Sequence, residues 1–100
     1  MTDGIASVRE QERRVLDLRS WGAELQRVGR LSEREREVFA LLGNGDSNRR
    51  IAARLGVAER TVKAHVAQIM TKIQVESRLQ AGIVAFAFAL LNESSIYGGP

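Results

Sequence analysis

Gly56 separates two short predicted helices with almost no loop between them, and this feature constrains the fold most. The helix before it starts at Ser47, a residue type that caps helix N-termini, and the helix after it runs from Glu59 to about Ile73. Glycine adopts the left-handed backbone that ends a helix, so the chain can change direction at once. Two short helices joined in this way predict a helix-turn-helix arrangement.

The remainder of the sequence is also helical in pattern. Its only proline is Pro100, and no useful stretch alternates apolar and polar residues as a strand would. Clusters of glycine and asparagine divide the chain into five predicted helical segments. The first is an amphipathic helix over about 7–28, with an apolar stripe made of Val15, Leu18, Trp21, Leu25 and Val28. The predicted fold class is therefore all-α.

The second segment begins with a capping-box sequence. Ser32 can accept a hydrogen bond from the backbone three residues on, and Glu35 can return one to the backbone of Ser32. Glu35 is also placed to pair with a cation at the edge of the core, so we interpret it as structural rather than catalytic. At the other end, Gly43-Asn44-Gly45 offers a left-handed cap followed by a loop.

The last segment, from Ser77 to about Asn92, is apolar around most of its circumference between residues 81 and 91. A helix of this kind must be covered by other protein surface. Phe86 and Phe88 lie about 200° apart around the helix axis and therefore face different surfaces. Two coverings are open: the first helix within the chain, or the same helix of a second copy in a homodimer. Both can hold at once, and we favour the homodimer.

Positive charge is concentrated in the middle of the chain. The whole chain has a formal charge of +3, whereas residues 47–72 contain six cations and the single acid Glu59, a local balance of +5. The six cations are Arg49, Arg50, Arg54, Arg60, Lys63 and Lys72. A local basic patch is typical of proteins that bind a phosphate backbone, although an ordinary solvated basic face gives the same count.

The fourth predicted helix separates this charge from its apolar side chains. At about 100° per residue, Val66, Ile69 and Ile73 fall within about 40° of Val62 and form the buried stripe. The opposite face contains no acid and carries Arg60, Lys63, Ala64, Ala67, Gln68 and Thr71, with Thr61 at its edge. A helix fits the major groove of B-form DNA, where such side chains can meet phosphates and base edges. A solvent-exposed helix is the alternative, but its polar face usually mixes glutamate with lysine.

Short motifs with fixed spacing cover about 31–85. They are Leu31-Ser32-x-Arg34-Glu35-x-Glu37-Val38, Gly45, Asn48-x-x-Ile51-Ala52, Leu55-Gly56-Val57, Thr61-Val62-Lys63-x-His65-Val66, Ile69-x-x-Lys72-Ile73, and Ser77-Arg78 with Ala81. In these motifs the chain resembles the LuxR-type (GerE-like) helix-turn-helix family, without insertion. The resemblance implies a four-helix DNA-binding domain, here preceded by one N-terminal amphipathic helix.

The resemblance also implies roles for individual residues. The helix at about 59–73 would enter the major groove, with Lys63, Ala64 and Ala67 nearest the bases. Arg60 and Thr61 would lie near phosphates, with Asn48 and Arg49 contributing from the preceding helix. Gln68 and Thr71 complete the DNA-facing set that we predict.

In the same family the last helix often supplies the dimer contact, and a two-fold dimer matches two related half-sites on DNA. The partners implied are double-stranded DNA and a second copy of the chain. We expect the first helix to extend or cover the dimer interface. The predicted dimer contacts on helix 77–91 are Leu79, Ile83, Phe86 and Leu90.

Two positions depart from the family pattern. Position 58 is usually a serine-like cap and is Ala58 here, and a lost cap costs on the order of 1 kcal/mol. Position 67 often carries a polar or basic residue that contacts a base, and Ala67 cannot donate a hydrogen bond. We therefore expect modest base discrimination, resting on Lys63, Gln68 and methyl contacts to thymine, or reliance on DNA shape.

Other classes of function lack the residues that they require. The chain has no cysteine and a single histidine, His65, so we expect no disulfide, no metal site and no cofactor. No nucleophile–base pair is evident, and the sequence predicts a protein that is not an enzyme. The N-terminus lacks the features of a secretory signal, and the longest apolar stretch, 81–91, is far shorter than the roughly 20 residues of a membrane span. A cytoplasmic location is expected.

The predicted organisation has three parts: an N-terminal helix and linker (1–30), the helix-turn-helix domain (31–92) and a flexible tail (93–100). The chain leaves no room for the receiver or ligand-binding domain of many family members, so a stand-alone regulator and a fragment of a longer one both fit. The competing functional hypothesis is an interaction module that pairs with a larger regulator through 1–30 and 77–91. A third is a promoter-recognition domain resembling region four of a sigma factor.

Overall fold

The computed structural model describes residues 17–97 of the 100-residue chain, with side chains as far as Asn92. Within these residues five α-helices follow one another: α1 (Gly22–Arg27), α2 (Glu33–Gly43), α3 (Asn48–Leu55), α4 (Glu59–Ile73) and α5 (Arg78–Tyr97). Short 3-10 helices, Leu18–Trp21 and Val28–Arg30, lie on either side of α1. The described part contains no strand, and the all-α prediction is confirmed.

The N-terminal segment is less regular than the continuous helix predicted over 7–28. Asp17 has an extended backbone, and its carboxylate accepts a hydrogen bond from the backbone N–H of Arg19 at 3.0 Å, which starts a 3-10 helix. The Ser20 hydroxyl donates to the Asp17 carbonyl at 2.7 Å. Short polar side chains that bond to nearby backbone groups compete with helical hydrogen bonds. The single-helix prediction is therefore wrong at Asp17, and its part over 7–16 lies outside the described residues.

The helix ends follow local sequence signals. At the start of α2, Ser32 Oγ accepts from the N–H of Glu35 at 3.2 Å and Glu35 Oε1 accepts from the N–H of Ser32 at 2.9 Å, so the predicted capping box is confirmed. At its end Gly45 has φ +83°, and the N–H of Asp46 donates to the Leu41 carbonyl at 3.1 Å. This left-handed closure satisfies carbonyls that the last turn leaves free.

The helix-turn-helix is built as the sequence predicted. Ser47 Oγ caps α3 by accepting from the N–H of Arg50 at 3.2 Å, and Gly56 ends it with φ +67°. The N–H of Val57 donates to the Ala52 carbonyl at 3.1 Å, so the chain turns directly into α4. The same closure ends α4, but there Gln74 takes the left-handed conformation with φ +61°, without the freedom of a glycine.

One core joins all five helices. Trp21 and Val28 from the N-terminal segment are buried in it, as predicted from their stripe. The other buried side chains of this cluster come from Leu31, from α2 (Val38, Phe39, Leu42), from α3 (Ile51, Ala52), from α4 (Val62, Val66, Ile69, Ile73) and from α5 (Ala81, Val84, Ala85). The face of α4 that enters the core is therefore fixed, and its opposite face is left outside.

The long helix α5 crosses α2 where both helices carry small residues. A Cβ at Gly43 would lie 3.0 Å from the Cβ and carbonyl carbon of Ala85, so only glycine fits without a shift. The Phe88 ring packs edge-on against Phe39 with centroids 6.1 Å apart, whereas Phe86 points away and is exposed. The predicted opposition of these two rings is confirmed.

Both ends of α5 differ in detail from the sequence prediction. Gln80 lies three residues after Ser77, the spacing of a capping box, and its N–H donates to Ser77 Oγ at 3.1 Å. The side-chain Oε1 of Gln80 accepts from the N–H of Glu76 at 2.7 Å, whereas a full capping box would have it accept from Ser77. The helix was expected to fade at Asn92 and continues to Tyr97, since no glycine or proline lies between Asn92 and Gly98. Among residues 17–97, each helix taken singly is too short or too polar for a membrane span. Only α4 and Arg78–Asn92 taken jointly reach the length and hydropathy of one, and these two are bent by 73° relative to each other.

Candidate nucleic-acid interface

Most of the residues predicted to contact DNA lie on one exposed surface, the outer face of α4. Val62, Val66, Ile69 and Ile73 are buried, as the periodicity predicted. Thr61 at the edge is half-buried, and the exposed members of the predicted face are Arg60, Lys63, Ala64, Ala67, Gln68 and Thr71. From Arg60 to Thr71 this surface rises about 16 Å along the helix.

The N-terminus of α4 has no side-chain cap. Ala58 is extended and offers only its carbonyl oxygen, which accepts from the N–H groups of Thr61 at 3.0 Å and Val62 at 3.2 Å. The helix nevertheless begins at Glu59, where it was predicted, because Val62 in its first turns is fully buried. First-turn N–H groups without a capping side chain are suited to an anion.

Asn48 and Arg49 occupy the first turn of α3. Arg49 is exposed, whereas Asn48 is half-buried and its Oδ1 accepts from Arg78 Nη1 at 2.5 Å. Arg78, at the start of α5, also donates from Nη2 to the Asp46 carbonyl at 2.8 Å. The predicted contact residue Asn48 is thus held by a residue 30 positions away, which no local pattern could indicate.

Ion pairs inside the described part of the chain engage half of the basic patch. The Asp46 carboxylate, only 11% exposed, lies 3.7 Å from Arg50 Nε and 3.4 Å from Arg54 Nε. Among residues 17–97, no ion pair involves Arg49, Arg60 or Lys63. The sequence count missed this because Asp46 lies one residue outside the window 47–72.

The sixth cation, Lys72, is part of the scaffold. Its Nζ donates to Glu35 Oε1 at 2.7 Å, beside the bond from the Ser32 N–H, so the expected partner of Glu35 is found. Burial by itself raises the pKa of the Glu35 carboxyl, but the Lys72 ammonium and the Ser32 N–H together outweigh it and hold the pKa below its ordinary value. Glu35 is therefore a charged clamp between α2 and α4.

Thr71 offers less to a DNA contact than the sequence indicated. Its hydroxyl donates to the Ala67 carbonyl one turn earlier at 3.1 Å, so the donor is engaged within α4. Gln68 and Lys63 are exposed and keep their donors available. His65 is half-buried at the flank of the apolar stripe, as predicted.

A second surface, the apolar face of α5, lies outside this basic region. We define it by Leu79, Phe86 and Leu90, three of the four exposed large apolar side chains of the described residues; the fourth, Leu91, lies about 100° from Leu90 around the helix. Leu79 and Phe86 are 73% and 57% exposed, whereas Ile83 is half-buried and packs against the core. Leu91 was not among the predicted dimer contacts. A groove of about 540 Å³ runs beside this face, lined in part by Leu18, Leu42, Gly82 and Ile83.

Comparison with known proteins gives the family. The GerE model, described as bacterial regulatory proteins of the luxR family, matches residues 29–85, more than half of the chain. The chain belongs to this family. The matched LuxR-family region includes α2, α3, α4 and the first turns of α5, together with every residue of the candidate interface.

Individual relatives are similar over 61 to 72 residues of the chain. The uncharacterized transcriptional regulatory protein YhcZ of Bacillus subtilis is 39% identical over 72 residues, which are 72% of this chain and 34% of YhcZ. The response regulator protein VraR of Staphylococcus aureus and of Staphylococcus epidermidis is 43% identical over 61 residues, which are 61% of this chain and 29% of VraR. The LuxR-family chain therefore spans about a third of the length of these relatives.

Proposed function

We propose that this chain binds double-stranded DNA and regulates transcription, with α4 in the major groove. The observation that carries the proposal is the outer face of α4, which has no acid after Glu59 and presents Arg60 and Lys63 without an ion pair among the described residues. An α-helix is about 10–12 Å wide with its side chains, and the major groove is about 12 Å wide. Family membership supports the same function.

Base contacts in this proposal come from few side chains. Lys63 and Gln68 can donate to base edges, and the methyl groups of Ala64 and Ala67 can contact thymine. Phosphate contacts come from Arg49, Arg60, Thr61 and the amide of Asn48. We therefore expect sequence-specific binding with modest discrimination, and a strong dependence on salt.

The second half of the proposal is a homodimer formed through α5. Leu79, Phe86 and Leu90 are exposed apolar side chains on one helix, and Ile83 lines the groove beside them. Large exposed apolar patches commonly mark protein contact sites. In a two-fold contact the same patch serves both copies, which matches a DNA site made of two related half-sites. The proposed activity belongs in the cytoplasm, where bacterial chromosomal DNA lies.

The test is selection of random duplex DNA by the purified chain, followed by measurement of the enriched pool across a salt series. A two-fold-symmetric enriched motif is expected, with a log–log salt slope of roughly −0.9 for each neutralised phosphate. Lys63→Glu should abolish binding, whereas Arg34→Glu on α2, an exposed arginine in an i,i+3 pair with Glu37, serves as the control for charge reversal elsewhere. No binding at low salt would contradict the proposal and favour an interaction module that acts on a larger regulator.

A further inference from the structure

We infer that Arg78 is a positioning residue, which orients Asn48 for a phosphate contact and so links the proposed dimer helix α5 to the DNA-facing end of α3. The inference rests on the proposed function. Arg78 forms a bridge between two helix N-termini, since it is the first residue of α5 and its partner Asn48 is the first residue of α3.

The geometry of the bridge fixes the plane of the guanidinium. Nη1 donates to Asn48 Oδ1 at 2.5 Å and Nη2 donates to the Asp46 carbonyl at 2.8 Å. Two nitrogens of one planar group on two separate acceptors allow little rotation. Asp46 is itself held on its other side, since its carboxylate lies between Arg50 and Arg54. The loop that leads into α3 is thereby tied to the start of α5.

The bridge decides which end of the Asn48 amide faces outward. A guanidinium carries only donors, so the atom of Asn48 that faces it must be the carbonyl oxygen. The NH₂ group then points away from Arg78 with its donors available. Phosphate oxygens only accept, so this orientation suits a phosphate. An amide released from Arg78 can turn over and present its oxygen, which a phosphate repels.

A purely structural role fits Arg78 less well. The side chain and both of its hydrogen bonds lie at the exposed surface, where polar pairs contribute little to the folding free energy. The core beneath is complete without it, since the buried members of α5 begin at Ala81. What Arg78 adds is a fixed orientation of one amide and one loop.

The experiment compares Arg78→Lys, Asn48→Ala and the double variant in the full chain. Lysine keeps the charge but cannot bridge two acceptors in one plane. We expect Arg78→Lys to weaken binding to the selected duplex by about three- to tenfold, since the hydrogen bond from the uncharged Asn48 amide to a phosphate is weakened, with an unchanged salt slope. The double variant should bind no more weakly than Asn48→Ala alone. Arg34→Lys, on α2, is the matched control and should bind like the unmodified chain.

Three results would overturn the inference. If Arg78→Lys binds as well as the unmodified chain, charge rather than geometry is what matters at this position. If Arg78→Lys weakens binding equally in the Asn48→Ala background, Arg78 does not act through Asn48. If its thermal unfolding midpoint falls together with affinity, the role is structural. Failure of the unmodified chain to bind DNA is a separate outcome, which would remove the proposed function and this inference with it.

Discussion

Single side chains decide how much of the basic patch is available to a ligand. Asp46 pairs with both Arg50 and Arg54, and Glu35 pairs with Lys72, so these three cations already have an acidic partner within the domain. Arg49, Arg60 and Lys63 are the patch cations without an ion pair among residues 17–97. At this scale, phosphate attraction and base contact belong to different residues and can be separated by mutation.

Lys63 and Arg49 should respond differently to truncation. Lys63→Ala is expected to weaken binding to the selected site by about 1–3 kcal/mol and to broaden the sequence preference, because a base contact is removed. Arg49→Ala should weaken binding to all sequences alike and reduce the salt slope by about 0.9, because one phosphate contact is lost. Affinities for selected and scrambled duplexes across a salt series measure both effects. Equal loss on both duplexes for Lys63→Ala would contradict its placement at the bases.

The Glu35–Lys72 pair gives a pH signature. The pKa of Glu35 is lowered in the folded chain, so its stabilising contribution is complete at neutral pH and is lost as the pH falls below the ordinary glutamate pKa of about 4.3. Glu35→Gln should lower the free energy of unfolding by about 1–3 kcal/mol at pH 7 and by less at pH 3. Denaturant unfolding at both pH values measures this difference. Exposed Glu33→Gln is the control, and a deficit that stays constant with pH would contradict the ion pair.

At the scale of elements, the ends of the helices and the crossing of α2 with α5 set the geometry. α4 starts without a side-chain cap and ends on a left-handed glutamine, so burial of its apolar stripe holds it more than its ends do. The α2–α5 crossing depends on residues without bulk, since Gly43 lies directly against Ala85. These two features determine how α4 and α5 are oriented on the surface of the domain.

Gly43 should be intolerant of any side chain. A Cβ there would meet the backbone and Cβ of Ala85 at 3.0 Å, and backbone atoms cannot easily move aside. We expect Gly43→Ala to lower the free energy of unfolding by about 1–3 kcal/mol despite the better helix propensity of alanine. Gly82→Ala is the matched control, because its Cβ would meet only the Leu42 carbonyl at an ordinary 3.5 Å. Equal midpoints in thermal unfolding for the two variants would refute the close crossing.

At the scale of the whole molecule, one helix has two roles. The inner side of α5 completes the core through Val84 and Ala85, and its outer side leaves Phe86 and Leu90 exposed. The proposed DNA-binding unit therefore depends on the same helix that would join two copies. Affinity for a two-fold site then includes the free energy of association as well as the contacts of each copy.

Phe86→Asp should give a monomer. A carboxylate on the apolar face of α5 would be buried in the proposed interface without a partner, which is strongly unfavourable. Sedimentation should then show one species of half the mass, and cooperative binding to the symmetric site should be lost. Ala40→Asp adds the same charge at an exposed position of α2 and should leave the assembly unchanged. Persistence of the dimer in Phe86→Asp would place the interface elsewhere.

The sequence by itself determined what depends on near neighbours in the chain. The capping box of Ser32 and Glu35, the turn at Gly56 and the buried stripe of α4 were all predicted, because each depends on residues within about one or two turns of each other. The outer face of α4 followed from the same periodicity. Local patterns gave a wrong prediction at Asp17, where a polar side chain competes with the hydrogen bonds of a continuous helix.

Only the tertiary structure decided which of these groups are free to act. The pairing of Glu35 with Lys72 and of Asn48 with Arg78 joins residues that are brought close only by the packing of helices. The close approach at Gly43 and the exposure of Leu91 have the same origin. A helical pattern states which face a residue occupies, but not which neighbour another helix brings to it, and that neighbour decides whether a charge serves the fold or a ligand.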